Sequence, residues 1–271
     1  MSDRQNFWEE LDPKYRVILC DAWGVIHDGV RLEPGAAERL LRWRGEGRFV
    51  IVLTNAPRPP KLIEQQLERL GLPADAFDAI VSSGGAGVAA LTALAAPVGF
   101  LGTVMDRRVL EDEGIVIAPD EHFADVACVG FEEGRPELAD YQERLVRWTA
   151  MGVRMHCLNP DRVVIYGSRR LPCAGLLGDA YEAIGGEVIW YGKPYQPIYR
   201  HALGLAGNPS ADRVLAIGDG LATDMLGAAR MGFDAVFVTG GIHAGEDFPG
   251  DFGSQHAVGQ WRPVAVVDAL A

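Results

Sequence analysis

Four cysteines in 271 residues, with no Cys-x-x-Cys pair among Cys20, Cys128, Cys157 and Cys173, offer neither a disulfide framework nor a zinc ligand set. Cys20 and Cys157 stand in apolar runs and read as small buried hydrophobes. Positive charge is also scarce: 25 Lys and Arg against 37 Asp and Glu leave a formal net charge of −12. Such a chain lacks the basic face that nucleic acid or an anionic membrane needs, so neither is expected as a partner. An anionic small molecule stays compatible, because a bound cation and a few fixed ones reverse the sign locally. No apolar run reaches membrane-spanning length, and the polar N-terminal stretch 1–15 does not read as a secretory signal. There is no internal repeat and no low-complexity segment. The cytoplasm is the expected location, and the oligomeric state stays open, a homo-oligomer included.

What is present is an ordinary globular composition, 48% hydrophobic and 23% charged, with ample material for a core. Residues 16–20, 49–53, 79–82, 214–217 and 235–238 are short, apolar and β-branched, and read as buried strands. Helical stretches stand between them. One opens at Pro34 and ends near Gly45 to Gly47. A second carries Leu62, Ile63, Gln66, Leu67 and Leu70 at helical spacing, with Gly71 as its stop. Others cover 88–94 and 224–231. Unbroken apolar strands alternating with helices imply an α/β fold with a parallel sheet covered on both faces. The middle of the chain has elements of its own. Leu138, Tyr141, Leu145 and Trp148 share a helical face, Gly152 ends that helix, and 153–158 reads as a strand before Asn159-Pro160. A second α/β unit inserted into the first is expected.

In such sheets ligands bind beyond the carboxyl ends of the strands. Four segments there draw notice: Asp21-Ala22-Trp23-Gly24-Val25, Thr54-Asn55, Gly192-Lys193-Pro194, and Gly218-Asp219-Gly220 with Thr223-Asp224. Each alone is good turn chemistry. Together they place carboxylates, a hydroxyl and an ammonium on one rim, the combination phosphoryl transfer requires. Asp21 can attack phosphorus and carry the phosphoryl group as an aspartyl-phosphate. Asp21 and Asp219 offer hard oxygens to Mg²⁺, with Asp224 supporting from nearby. The Thr54 hydroxyl and the Asn55 amide can donate to phosphoryl oxygens, and Lys193 can neutralise the transferring group.

These four motifs, in this order, resemble those of the haloacid dehalogenase superfamily. The long insertion between the second and third is similar to the type IIA branch, in which an α/β cap covers a Rossmann-like core. The resemblance spans nearly the whole chain and includes the segment Leu158-Asn159-Pro160-Asp161. It implies a core formed by 1–92 and 187–271 and a cap at 93–186 that sets substrate specificity. It also implies a Mg²⁺-dependent phosphatase of small phosphorylated metabolites. In that scheme Asp21 and Lys193 are catalytic, and Thr54 and Lys193 bind phosphate. Asp21, Asp219 and the backbone carbonyl of Trp23 hold the metal, and Asp224 supports it.

One position departs from the pattern. Phosphatases of the superfamily carry a second Asp two residues after the nucleophile, as acid and base; here that residue is Trp23. An indole does no acid–base work at neutral pH. Three readings follow: a phosphatase using good leaving groups or another donor such as His27 or Asp28, a phospholigand binder, or a metal-free 2-haloacid dehalogenase. The retained acidic motif at Asp219 and Asp224 ranks the phosphatase first. His27-Asp28-Gly29 also reads simply as a turn. Candidate substrate contacts in the cap lie at 159–162 and 169–175, with Arg162, Arg169 and Arg170 able to read an anionic or hydroxylated group. His243 is assigned no role.

Overall fold

The computed structural model describes residues 7–120, 122–166, 169–240 and 247–270. Strand β1 (Val17–Cys20) lies at the heart of a six-stranded sheet, where its four apolar residues are all buried. From β1 the chain runs outward through α1 (Ala36–Gly45), β2 (Phe49–Thr54), α2 (Pro60–Leu70) and β3 (Ala79–Ser82). It later returns on the other side of β1 with β10 (Val214–Gly218), β11 (Asp234–Val238) and β12 (Ala265–Val267), giving the order β12-β11-β10-β1-β2-β3. Every pair is parallel, with Cys20 level with Ile217 on one side and Val52 on the other. The order in which strands are added reverses at the boundary of β1 and β10, and such a switch opens a crevice at their carboxyl ends.

Alternation of side chains divides the strand residues between two cores. Ile18, Cys20, Val50 and Val52 face Leu40 and Trp43 of α1 and Ile63 and Leu67 of α2. Val17, Leu19, Ile51 and Leu53 face Ile198, Tyr199 and Ala202 of helix Gln196–Leu205. That is why these strands read as continuous apolar runs rather than alternating ones.

The inserted unit is a second, four-stranded parallel sheet in the order β4 (Gly99–Leu101), β5 (Asp125–Cys128), β6 (Arg154–Cys157) and β9 (Glu187–Trp190). The same insertion carries an antiparallel pair, β7 (Val163–Tyr166) and β8 (Arg169–Pro172), as a separate two-stranded sheet. The fold is thus a Rossmann-like parallel core with an inserted α/β cap. Two elements bear on the expected segments. Helix α3 (Ser83–Leu94) leaves β3 directly, capped by Ser82, whose hydroxyl accepts from the Gly85 amide at 3.0 Å. Its Val88 and Leu91 pack with Ala127, Val129 and Leu158 of the second unit. Residues 187–190, placed in the returning core by the expected boundary at 187, form β9, which pairs instead with β6 of the second sheet.

Local corrections have local causes. Leu138, expected on the buried helical face, sits in a 3-10 turn (Leu138–Tyr141) and is 41% exposed. The helix expected over 224–231 starts at Leu226, because Leu221–Met225 forms a wider π turn that carries Asp224. All four cysteines are buried and free. Among the described residues no helix is long and apolar enough to cross a membrane. Leu67 is fully buried between α2 and the sheet. Leu67→Ala should cost about 2–5 kcal/mol, read as a lower urea midpoint at unchanged slope.

Candidate active site

β1, β2 and β10 all run the same way, so the residues that follow them collect on one edge of the sheet. Asp21 extends the ladder by donating its amide to the Ile217 carbonyl at 2.9 Å, and its Oδ1 accepts from the Ala22 amide at 2.8 Å. Lys193, in the loop after β9, places Nζ 2.7 Å from Asp21 Oδ1 and 2.7 Å from Asp224 Oδ1. Asp224 Oδ2 accepts from the Gly220 amide and the Thr223 hydroxyl, each at 3.2 Å. Asp219 completes the group: one carboxylate oxygen from each of Asp21, Asp219 and Asp224 lies within 4.8 Å of the others.

Glycine makes this density attainable. A Cβ on Gly24, whose φ is +79°, would lie 2.1 Å from Asp219 Oδ2. One on Gly192 would lie 2.3 Å from Asn55 Oδ1. The motif glycines are therefore where backbone and site side chains meet.

The electrostatics describe a cluster short of positive charge. Burial pulls the Lys193 ammonium down, but Asp21 and Asp224 outweigh it and hold it above its ordinary range. Burial, then the Asp224 carboxylate, pushes Asp21 well above the carboxylate range, with Lys193 opposing. Three buried carboxylates face one ammonium, and all their donors are hard oxygens. That donor set and charge fit a small divalent cation such as Mg²⁺.

Thr54 is buried, and its hydroxyl oxygen accepts from the Ala56 amide at 3.2 Å. It lines a cavity of about 480 Å³ together with Trp23, His27, Arg58, Asp106 and Asp161. Trp23 is a wall of that cavity, its indole set edge-on to His27 with ring centroids 4.9 Å apart.

Several expected roles change. Asn55 was expected to donate to phosphate. Its Nδ2 instead donates to the Lys193 carbonyl at 3.1 Å and to Asp161 Oδ1 at 2.8 Å, while its Oδ1 accepts from the Lys193 amide at 2.7 Å. Both amide hydrogens are committed, so the side chain clamps the Lys193 loop. Arg162 was a candidate for reading substrate. Its guanidinium is bound to both oxygens of Asp179 and to the Pro160 carbonyl, and lies over the Trp190 ring. Arg169 and Arg170 are exposed on β8. His243 lies outside the described residues.

Neither alternative proton donor holds up. His27 is 3% exposed, its Nδ1 accepts from the Gly29 amide at 2.9 Å, and burial lowers its pKa to about 4 despite Asp28. Asp28 is a turn former whose Oδ1 accepts from the Val30 and Arg31 amides. Arg58 and Asp106, both on the cavity wall, were not singled out from the sequence. Arg58 follows Thr54-Asn55 closely, so the strand-end rule could have flagged it; Asp106 carries no local signal, because the packing of the second unit brings it there.

Two measurements test the electrostatics. Lys193→Met leaves Asp21 and Asp224 buried without their cation, and should cost about 3–5 kcal/mol in metal-free urea unfolding. His27 has a folded pKa below the ordinary value, so its contribution is present above pH 6.5 and is lost as pH falls toward 4. This loss amounts to roughly 3 kcal/mol, and in a urea series across that pH range His27→Gln should lack it.

Two family models match the chain: haloacid dehalogenase-like hydrolase over residues 18–116, and HAD-hydrolase-like over residues 190–271. Ribonucleotide monophosphatase NagD of Escherichia coli K12 is 29% identical over 237 residues, covering 85% of this chain and 90% of its own. 5'-Nucleotidase YutF of Bacillus subtilis is 26% identical over 266 residues, covering 94% and 96%. A crystal structure of a hydrolase of the haloacid dehalogenase-like family from Brucella suis is 33% identical, covers 97% and 98%, and superposes with a TM-score of 0.83.

Proposed function

The chain belongs to the haloacid dehalogenase-like hydrolases, and on that premise we propose that it is a Mg²⁺-dependent phosphatase of small phosphate monoesters, with Asp21 as the phosphoryl carrier. The curated relatives are named as a ribonucleotide monophosphatase and a 5'-nucleotidase, which supports phosphoric monoester hydrolysis. The observation that carries the reading is the buried ammonium of Lys193 bridging Asp21 and Asp224, with Asp219 alongside.

Asp21 attacks phosphorus and takes the phosphoryl group, and water then releases it as phosphate. Lys193 opposes protonation of the Asp21 carboxylate and offsets charge that develops on the transferring group. Thr54 donates its hydroxyl hydrogen to a phosphoryl oxygen. Asn55 fixes the Lys193 loop, so the ammonium stays aligned with the nucleophile. Asp21, Asp219 and the Trp23 carbonyl would hold the metal, with Asp224 in support. When bound, Mg²⁺ supplies positive charge toward the phosphoryl oxygens and relieves the mutual repulsion of the acids. The inserted unit, with 93–186 as its bulk, acts as the cap that selects substrate and excludes water. The buried carboxylate cluster favours this chemistry over metal-free dehalogenation, which has no use for it.

Phosphate release from p-nitrophenyl phosphate should require Mg²⁺, stop on addition of EDTA and return with excess Mg²⁺. Asp21→Asn should lower it by about 10³-fold or more. An Asp21→Asn protein as active as wild type, or release indifferent to EDTA, would remove the reading. Halide release from a 2-haloacid in EDTA would replace it with dehalogenation.

A further inference from the structure

We propose that Asp161, reaching the site from the inserted unit, is the proton donor to the leaving oxygen, in place of the acid that position 23 lacks. This rests on the phosphatase reading. A general acid here must meet three conditions: it must face the cavity that Trp23 and Thr54 line, be held in place, and be able to carry a proton.

The cavity that contains Trp23 and Thr54 narrows the choice. Among the described residues its wall carries three side chains that could give up a proton to a leaving oxygen: His27, Asp106 and Asp161. His27 is neutral near pH 7, with its Nδ1 occupied by the Gly29 amide. Asp106 caps its own helix, its Oδ2 accepting from the Thr103 hydroxyl at 2.6 Å and the Thr103 amide at 3.2 Å, so it is held by that helix rather than by the Lys193 loop. Asp161 remains.

Asp161 is fixed to the catalytic loop. Its Oδ1 accepts from Asn55 Nδ2 at 2.8 Å, and the same Asn55 holds both backbone groups of Lys193. Its backbone is fixed as well: its amide donates to Asn159 Oδ1 at 3.2 Å, and its carbonyl accepts from the Gly175 amide at 3.0 Å. A Cβ on Gly175 would lie 2.5 Å from that carbonyl oxygen. One side chain therefore ties the Lys193 loop of the core to a carboxyl of the inserted unit, and docking of that unit would deliver both together.

The surroundings shift Asp161 toward its protonated form. Burial raises the Asp161 carboxyl above the ordinary carboxylate range; the Asn55 amide, Lys193 and Arg162 pull against it, and Asp224 adds to the rise. Cys173, at the start of the helix Ala174–Ala183, is the other titratable group facing it, and its own thiol is pushed up to about 12 by burial. Arg162 is largely spent on Asp179.

The step balances. The Asp21 carboxylate forms a bond to phosphorus as the bond from phosphorus to the leaving oxygen breaks. The leaving oxygen takes the Asp161 proton and departs as an alcohol, leaving Asp161 as a carboxylate. That carboxylate then accepts a proton from the water that attacks the aspartyl-phosphate, which returns both residues to their starting forms.

The test is single-turnover release of phenols from para-substituted phenyl phosphates, nitro through methyl, by the full-length protein with Mg²⁺. These substrates share a shape and differ in how much their leaving oxygen needs a proton. Asn at position 161 can still accept from Asn55, so Asp161→Asn preserves the clamp. It should release nitrophenol close to the wild-type rate and methylphenol about 10²-fold more slowly, giving a steeper dependence on leaving-group pKa. The alkaline limb of the wild-type profile for the methyl substrate should be absent in the variant. Equal losses on both substrates, or no loss on either, would overturn the proposal and leave Asp161 as a clamp alone. A wild-type protein that releases neither phenol removes the phosphatase reading itself, and this inference with it.

Discussion

An ammonium buried to 2% exposure is tolerable only if opposite charge meets it, and Lys193 meets two carboxylates at 2.7 Å each. Burial alone would loosen its hold on the proton; Asp21 and Asp224 reverse that tendency. Lys193 is one of three lysines in the chain, and Lys14 and Lys61 are not buried. The site depends on this contact because it binds three separate strand ends into one object. Asp21 follows β1, Asp224 follows β10, and Lys193 leaves the last strand of the inserted sheet. The Asn55 clamp adds the end of β2 to the same knot.

Such concentration of charge carries a cost that the rest of the fold has to offset. Two strongly apolar cores flank the six-stranded sheet and hold the strand ends in register. Glycines at 24 and 192 remove the side chains that would collide with Asp219 and Asn55. The remaining imbalance, three carboxylates to one ammonium, is a standing demand for a cation rather than a defect of packing.

Trp23 gives the cavity its character. Where an acid would sit, an indole braced edge-on against a neutral His27 forms an apolar wall. In the proposed reaction the proton then comes from elsewhere, and the side of the cavity built by the inserted unit carries carboxyl groups that the core residues lining it lack. On this view the inserted unit contributes chemistry as well as selection, and the two functions share the segment around Asn159 to Asp161.

The strands of the core were legible because they are buried on both faces, so apolar runs such as VILC at 17–20 leave little choice of structure. The strand-end rule then located Asp21, Thr54, Lys193 and Asp219 without any knowledge of contacts. The inserted unit was only partly legible. Its β4 is three residues long and includes Gly99, and β9 gave no cue to which sheet it would join, since strand partners are chosen by packing rather than by local preference. Residue type could not separate the Asn55 clamp from a phosphate donor, because the same amide serves either and only its neighbours decide. Arg162 was indistinguishable from a ligand-reading arginine until Asp179 appeared beside it. The sequence by itself thus determined the buried strands, the strand-end segments and the charges placed there, since apolar runs and the alternation of strand and helix are local properties. Tertiary structure alone decided which of those charges neutralise one another and which acid of the inserted unit faces the cavity, because Coulombic and hydrogen-bond partners act through distance in space, which chain spacing does not encode.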